Sequence, residues 1–178
     1  GNAFFDTIYI QDSTGGINIF PVAGIDLKLG QKVRVTGLVS EYEGEKEIDL
    51  ETIELIDESI NLVDPTKLST GDAAKKENEG LLISVTGKVV EIGENNKEYM
   101  ILNDGSGDIR IFLNGYVGAS DGSLNVGEFS SDIKVGDTVT AIGLGSTDPL
   151  GARLRVRDSI EVKKVEEVVS NEAVNKVI

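Results

Sequence analysis

QDSTGGINIF (residues 11–20) and NDGSGDIRIF (residues 103–112) are one phrase written twice, ninety-two positions apart. Aligned, Asp12 falls on Asp104, Gly15 on Gly107, Ile17 and Ile19 on Ile109 and Ile111, and Phe20 on Phe112. The phrase reads as strand, turn, strand. Asp hydrogen-bonds the backbone of a tight connection, and Gly accepts a positive φ without a Cβ clash.

Working outward, LKLGQKVRVTGLV (27–39) is echoed by IKVGDTVTAIGLG (133–145), a glycine turn entering a strand of period two. In the first of these, Val33, Val35 and Val39 point one way and Lys32, Arg34 and Thr36 the other. Each copy closes on a further strand, EIDLETIELI (47–56) and ARLRVRDSIEVKKV (152–165), and the second copy opens on LLISVTGKVVEI (81–92). The second copy thus has five strands, near 81–92, 97–104, 107–113, 136–145 and 152–165. Glycine in mid-strand, at Gly37, Gly87 and Gly143, suits a coiled sheet bent around a small barrel. The expected class is all-β, built on a five-stranded Greek-key barrel.

ISVTGKVVEI, YMILNDGSGDIRIF and IKVGDTVTAIG together resemble the OB-fold family typified by anticodon-binding and single-stranded-DNA-binding domains. The tandem copies and the lead-in LSTGDAAKKENEGLL resemble more narrowly the OB modules appended to secreted bacterial nucleases, nucleotidases and surface proteins. The resemblance implies two tandem OB-fold barrels. The first, over 1–66, lacks its own first strand, because only GNA precedes FFDTIYIQD. The second, over 67–165, is complete and carries the lead-in 67–80. The tail 166–178 resembles that lead-in, with Ser170 or Asn171 as a helix N-cap, and so reads as the approach to a further module. A chain opening on Gly1 reads as a fragment of a longer array. Strand exchange with a neighbouring chain, homo-oligomerisation or the tail itself would then fill the vacant position in the first barrel. Between its third and fourth strands the second copy gains about fourteen residues, as the offset between copies grows from 92 to 106 across the segment 114–132, which is rich in Gly and Ser and reads as a loop.

Composition narrows the chemistry. No Cys and no His occur, so disulfides, thiol nucleophiles, imidazole acid–base catalysis and the usual zinc ligand sets are removed together. No cofactor, metal or catalytic constellation is expected, and the chain is read as non-enzymatic. DGSGD (104–108) opens like a calcium loop, but Ile109 stands where the loop needs Gly and Gly115 where it needs Glu. No apolar run is long enough to cross a bilayer, so membrane insertion is not expected. Net charge is −14, and residues 1–66 hold 4 basic and 13 acidic side chains. A polyanion would meet repulsion there, which directs any nucleic-acid site to the second half.

The candidate ligand-binding residues are Arg153, Arg155 and Arg157, alternating on the last strand, with Arg110 and Phe112 on the third and Tyr99 on the second. A cationic groove with aromatic platforms is how OB-folds hold single strands. Tyr9, Phe20, Tyr42 and Tyr116 are further platform candidates, and the competing reading has the arginines paired with neighbouring Asp and Glu. The function implied is a non-catalytic module of an extracellular or cell-surface bacterial protein, binding single-stranded nucleic acid weakly for an adjoining nuclease or phosphatase domain. The alternative is a structural or adhesive spacer that contacts glycan or protein.

Overall fold

A computed structural model of the chain describes residues 4, 6–22, 24–93, 99–113 and 129–166. Tyr116, the tail 169–178 with Ser170 and Asn171, and most of the loop 114–132 lie outside the described residues.

The first sheet holds β1 (Ile8–Gln11), β2 (Gly16–Phe20), β3 (Lys32–Tyr42) and β4 (Glu45–Asp57), in the order β1-β2-β4-β3. β2 and β4 run parallel and the other neighbours antiparallel. A short connection follows, with β5 (Thr66–Lys67), the single-turn helix α1 (Thr70–Ala73) and a 3-10 turn over Lys76–Asn78. Then come β6 (Leu82–Ile92), β7 (Tyr99–Asn103), β8 (Asp108–Leu113), β9 (Thr138–Asp148), β10 (Gly151–Val156) and β11 (Val162–Lys164).

Strands β6 to β10 close on themselves in the circuit β6-β7-β8-β10-β9-β6, with β8 and β10 parallel. This is a closed five-stranded Greek-key barrel, the architecture of an OB-fold. Its core follows from period two: Ile83, Val85, Val89, Met100, Leu102, Ile109, Ile111, Val139, Ala141 and Leu154 alternate inward and are fully buried. The first sheet has the same connectivity, with β1, β2, β4 and β3 in the places of β7, β8, β10 and β9. Among the described residues nothing in it stands in the place of β6.

Two features differ from the sequence-based expectation. The last strand does not run through 152–165: β10 stops at Val156, Asp158 accepts the Ile160 amide at 3.0 Å, and the chain turns before β11 pairs with the start of β9. Phe129, placed by its neighbours in a polar loop, is buried in the barrel core.

The copied phrase also does unequal work. In both copies the Asp makes the same turn: Asp12 accepts the Thr14 amide and hydroxyl at 2.7 and 2.6 Å, and Asp104 accepts those of Ser106 at 3.0 and 2.5 Å. Asp104 in addition anchors the lead-in, accepting the Thr70 hydroxyl at 2.7 Å and the Thr70 amide at 3.1 Å. The Gly71 amide donates to the Ser106 hydroxyl at 2.9 Å, and a Cβ on Gly71 would strike the Ser106 carbonyl at 2.5 Å. The hydrogen bonds from Ser106 and Thr70 hold the Asp104 carboxyl far below the ordinary carboxylate range.

Asp104→Ala is therefore expected to lower the urea midpoint of the barrel, whereas Asp12→Ala, which loses only a local turn, moves its own sheet little. A carboxyl with a depressed folded pKa contributes its stability above the unfolded value and loses it as pH falls. The deficit of Asp104→Ala relative to the parent should hence be full at neutral pH and shrink below the ordinary aspartate value of 3.8, in unfolding curves run as a pH series.

Candidate binding face

Because Met100, Leu102, Ile109, Ile111, Leu154 and Val156 are buried, their neighbours along β7, β8 and β10 face outward. Register then arranges them in rows across the barrel. Tyr99 stands opposite Phe112, and Phe112 beside Arg155; Ile101 stands opposite Arg110, and Arg110 beside Arg153. The structure thus brings Tyr99, Arg110, Phe112, Arg153 and Arg155 onto one face. Arg157 does not join it, since it lies past the end of β10 and forms an ion pair with Glu161.

The arginines on this face are already matched. Arg110 Nη2 and Arg153 Nη1 grip the two oxygens of Asp148 at 2.5 and 2.8 Å, and the three side chains are only 14, 15 and 13 % exposed. Both guanidinium groups lie over the Phe112 ring, 5.9 and 5.1 Å from its centroid. Burial works against the Asp148 carboxylate, yet the Arg110 hydrogen bond, the Leu150 amide and the two guanidinium charges hold it below the ordinary range.

Arg155 reaches into the first sheet. Its guanidinium lies 4.3 Å from the Phe4 ring centroid and donates to the Tyr9 hydroxyl at 2.9 Å. Tyr9 donates in turn to Glu45 Oε1 at 2.6 Å. The other oxygen of Glu45 accepts the Ser146 hydroxyl at 2.9 Å, and Ser146 accepts Arg153 Nε at 3.2 Å. A continuous chain of donors and acceptors therefore runs Arg155, Tyr9, Glu45, Ser146, Arg153, Asp148, Arg110, crossing twice between the sheet and the barrel. Glu45 is buried, and burial raises its pKa against the opposing pull of Tyr9, Ser146, Arg155 and Arg153. Glu47 beside it is raised too, by burial and then by the charges of Asp49 and Glu45. Burial raises the Tyr9 hydroxyl, with Glu45 adding to the effect and Arg155 opposing it. Among the described residues Arg110 Nε, Arg155 Nε and Asn18 Oδ1 are buried without a hydrogen-bond partner.

Backbone approach completes the contact. A Cβ on Gly16 would lie 2.1 Å from the Gly80 carbonyl oxygen, so the sheet and the barrel touch here through glycine on both sides. Gln11 accepts the Leu82 amide at 2.7 Å, and Lys76 donates to the Gly44 carbonyl.

Tyr99 remains at the far end of its row. Its ring lies against Gly93, where a Cβ would come within 2.7 Å, and its hydroxyl donates to Glu91 at 2.6 Å. Of the other aromatic candidates, Phe20 and Tyr42 are exposed and Tyr9 is built into the network.

Glu45, Ser146 and Asp148 were not singled out by sequence reasoning, and Tyr9 was read as a stacking platform where it instead links the two units. One signal was available. The offset of 106 that aligns VRVTG with VTAIG, carried into the last strand, sets Glu47, Asp49 and Glu51 on Arg153, Arg155 and Arg157. The two copies thus carry opposite charge at equivalent outward positions, as two surfaces that meet would.

No family model matches this chain, and no curated protein matches it. Among solved structures it is similar to an OBody bound to hen egg-white lysozyme, at 15 % identity and TM-score 0.41 over 59 % of this chain and 99 % of the other. It is similar to the hypothetical protein YgiW from E. coli, at 16 % identity and TM-score 0.34 over 58 % and 91 %. It is also similar to a murine DNA-binding protein bound with double-stranded DNA, at 8 % identity and TM-score 0.38 over 89 % and 83 %. At these scores the fold assignment rests on the barrel's own strand order.

Tyr9→Phe removes the hydroxyl that links Arg155 to Glu45 and is expected to cost about 1–2 kcal/mol of unfolding free energy in urea. A carboxyl whose folded pKa is raised gives most stability below its unfolded value and loses it as pH rises through the folded one. Contact between sheet and barrel should therefore tighten as pH falls from neutral toward the ordinary glutamate value of 4.5. Glu45→Gln, compared with the parent in urea midpoints across that interval, should flatten the slope.

Proposed function

We propose that this chain is a non-catalytic binding module in which the first sheet is a second OB barrel, one strand short, and the outward face of β7 and β8 takes the ligand. The observation that carries the reading is the row Tyr99, Phe112 beside the row Ile101, Arg110. It sets aromatic rings and aliphatic surface next to a cation, on the strands that OB-folds use for oligonucleotides and oligosaccharides. Single-stranded nucleic acid is the ligand class this chemistry serves, with bases displacing the Arg110 and Arg153 guanidinium groups from over Phe112 to stack on the aromatic row, and phosphates drawn to Arg110. Binding is weak, because Asp148 already holds Arg110 and the net charge is −14. In this reading the module belongs to a larger exported bacterial protein and presents the strand to an adjoining nuclease or phosphatase domain.

A second reading has a specific observation in its favour. Arg153 and Arg155 are committed to Asp148, Tyr9 and Phe4, which makes the cationic row a fastening between the two units. A module so fastened serves as a rigid spacer that sets distance and contacts glycan or protein.

Titration with oligonucleotides and with cell-wall glycans at low and moderate salt separates the two. The first reading expects oligonucleotide binding that weakens steeply with salt, and a loss of about 1–3 kcal/mol per ring in Tyr99→Ala and Phe112→Ala. Absence of oligonucleotide binding at low salt, with glycan retained, selects the spacer.

A further inference from the structure

The two copies bury equivalent residues to different extents. Met100, Leu102, Ile109, Val139 and Ala141 are sealed inside the barrel. Their counterparts Ile8, Ile10, Ile17, Val33 and Val35 are only half-buried. In the barrel the difference is made by β6, which pairs with β9 on one side and β7 on the other and turns Ile83, Val85 and Val89 inward. In the first sheet β1 and β3 are the two edges, and among the described residues each has a strand on one side only. A cleft of about 140 Å³ opens between them, lined by Ile8, Ile10, Leu27 and Val33 and closed off by Leu144 and Arg157 of the barrel.

We propose that the first sheet is an acceptor for a donated β-strand, antiparallel to β3, from a separate polypeptide segment of defined pattern. The inference rests on reading the sheet as a barrel one strand short, and the barrel supplies the register. There Ile83, Val85 and Gly87 stand opposite Gly143, Ala141 and Val139, while Lys88 and Val89 stand opposite Asn103 and Leu102. Transferred through the offsets of the two copies, a donor places aliphatic residues opposite Gly37 and Val35, glycine opposite Val33, and an aliphatic residue opposite Ile10. The last of these enters the cleft. Outward, where Ser84, Thr86 and Lys88 stand in β6, the donor faces Thr36, Arg34 and Lys32. Opposite charges across a strand pair attract and like charges repel, so acidic or hydroxyl residues belong at these positions. The occupant is therefore an extended segment of the form Ile-Thr-Val-Glu-Gly-Glu-Val. Edge pairing would supply the backbone hydrogen bonds and the alternate pockets the selectivity.

The test is hydrogen exchange on the whole chain with a synthetic peptide built around ITVEGEV. Saturating peptide is expected to slow exchange across residues 33–39 and 8–11 by at least about tenfold, while 138–144 stay unchanged. A peptide with aspartate at the first and third positions should give no protection, and Val35→Asp in the chain should abolish it. Unprotected 33–39 at saturation would overturn the proposal, as would equal protection by the aspartate peptide. Protection without peptide that grows with protein concentration would put a second copy in the slot and overturn a separate donor. Oligonucleotide binding is read on β7 and β8, so either proposal can fail alone.

Discussion

A carboxylate taken out of water must be met by donors, and Glu45 is met from both halves of the chain. Tyr9 reaches one oxygen from the sheet and Ser146 the other from the barrel. Removing one partner from such a pair leaves the other buried and unmatched, which is costlier than never having made the bond. The network therefore acts as a registration device: it is satisfied in one relative placement of the two units and unsatisfied when they slide. Gly16 and Gly80 enforce the same placement sterically, since neither position has room for a side chain.

Charge inversion between the copies explains why the placement holds. Two identical faces would bring arginine to arginine or glutamate to glutamate. Instead β4 carries Glu45 and Glu47 where the first sheet meets the barrel, and β10 carries Arg153 and Arg155. Glu45 of the acidic first half and the arginines of β10 are thus two sides of one contact.

Strand positions up to Val156 and the closed barrel were legible in the sequence, because each is a local property of period two and of glycine in Asp-Gly turns. The outward direction of Arg110, Arg153 and Arg155 was legible for the same reason. What stands opposite them was not. Tyr9 looks like any half-buried aromatic, Glu45 like any residue of an acidic hairpin, and no local pattern says that one meets Arg155 across 146 positions. Arg157 misled through the same periodicity that served elsewhere, since alternation carries no mark of where Asp158 ends the strand. Phe129 was hidden by its small, polar neighbours, although a lone large apolar residue in such a run is itself a hint of an anchor.

A sheet is stabilised by burying one face, and by convention of the barrel that face is the aliphatic one. In the first sheet the polar outer face is covered at Asn18, Glu45 and Glu47, while Val39 and Leu55 remain exposed. Polar burial of this kind fixes orientation more than it adds stability, because desolvation takes back most of what the hydrogen bonds give. Aliphatic burial has the opposite character, contributing roughly 25 cal/mol per Å² with little regard to direction. The barrel has both and stands as a closed unit. The first sheet has mainly the directional half, with Ile19 and Val22 as its own buried aliphatics and Phe4 joined to the core of the barrel. Its orientation is thus specified by the barrel, and the aliphatic surface along β1 and β3, only half-buried among the described residues, is where further burial would add stability.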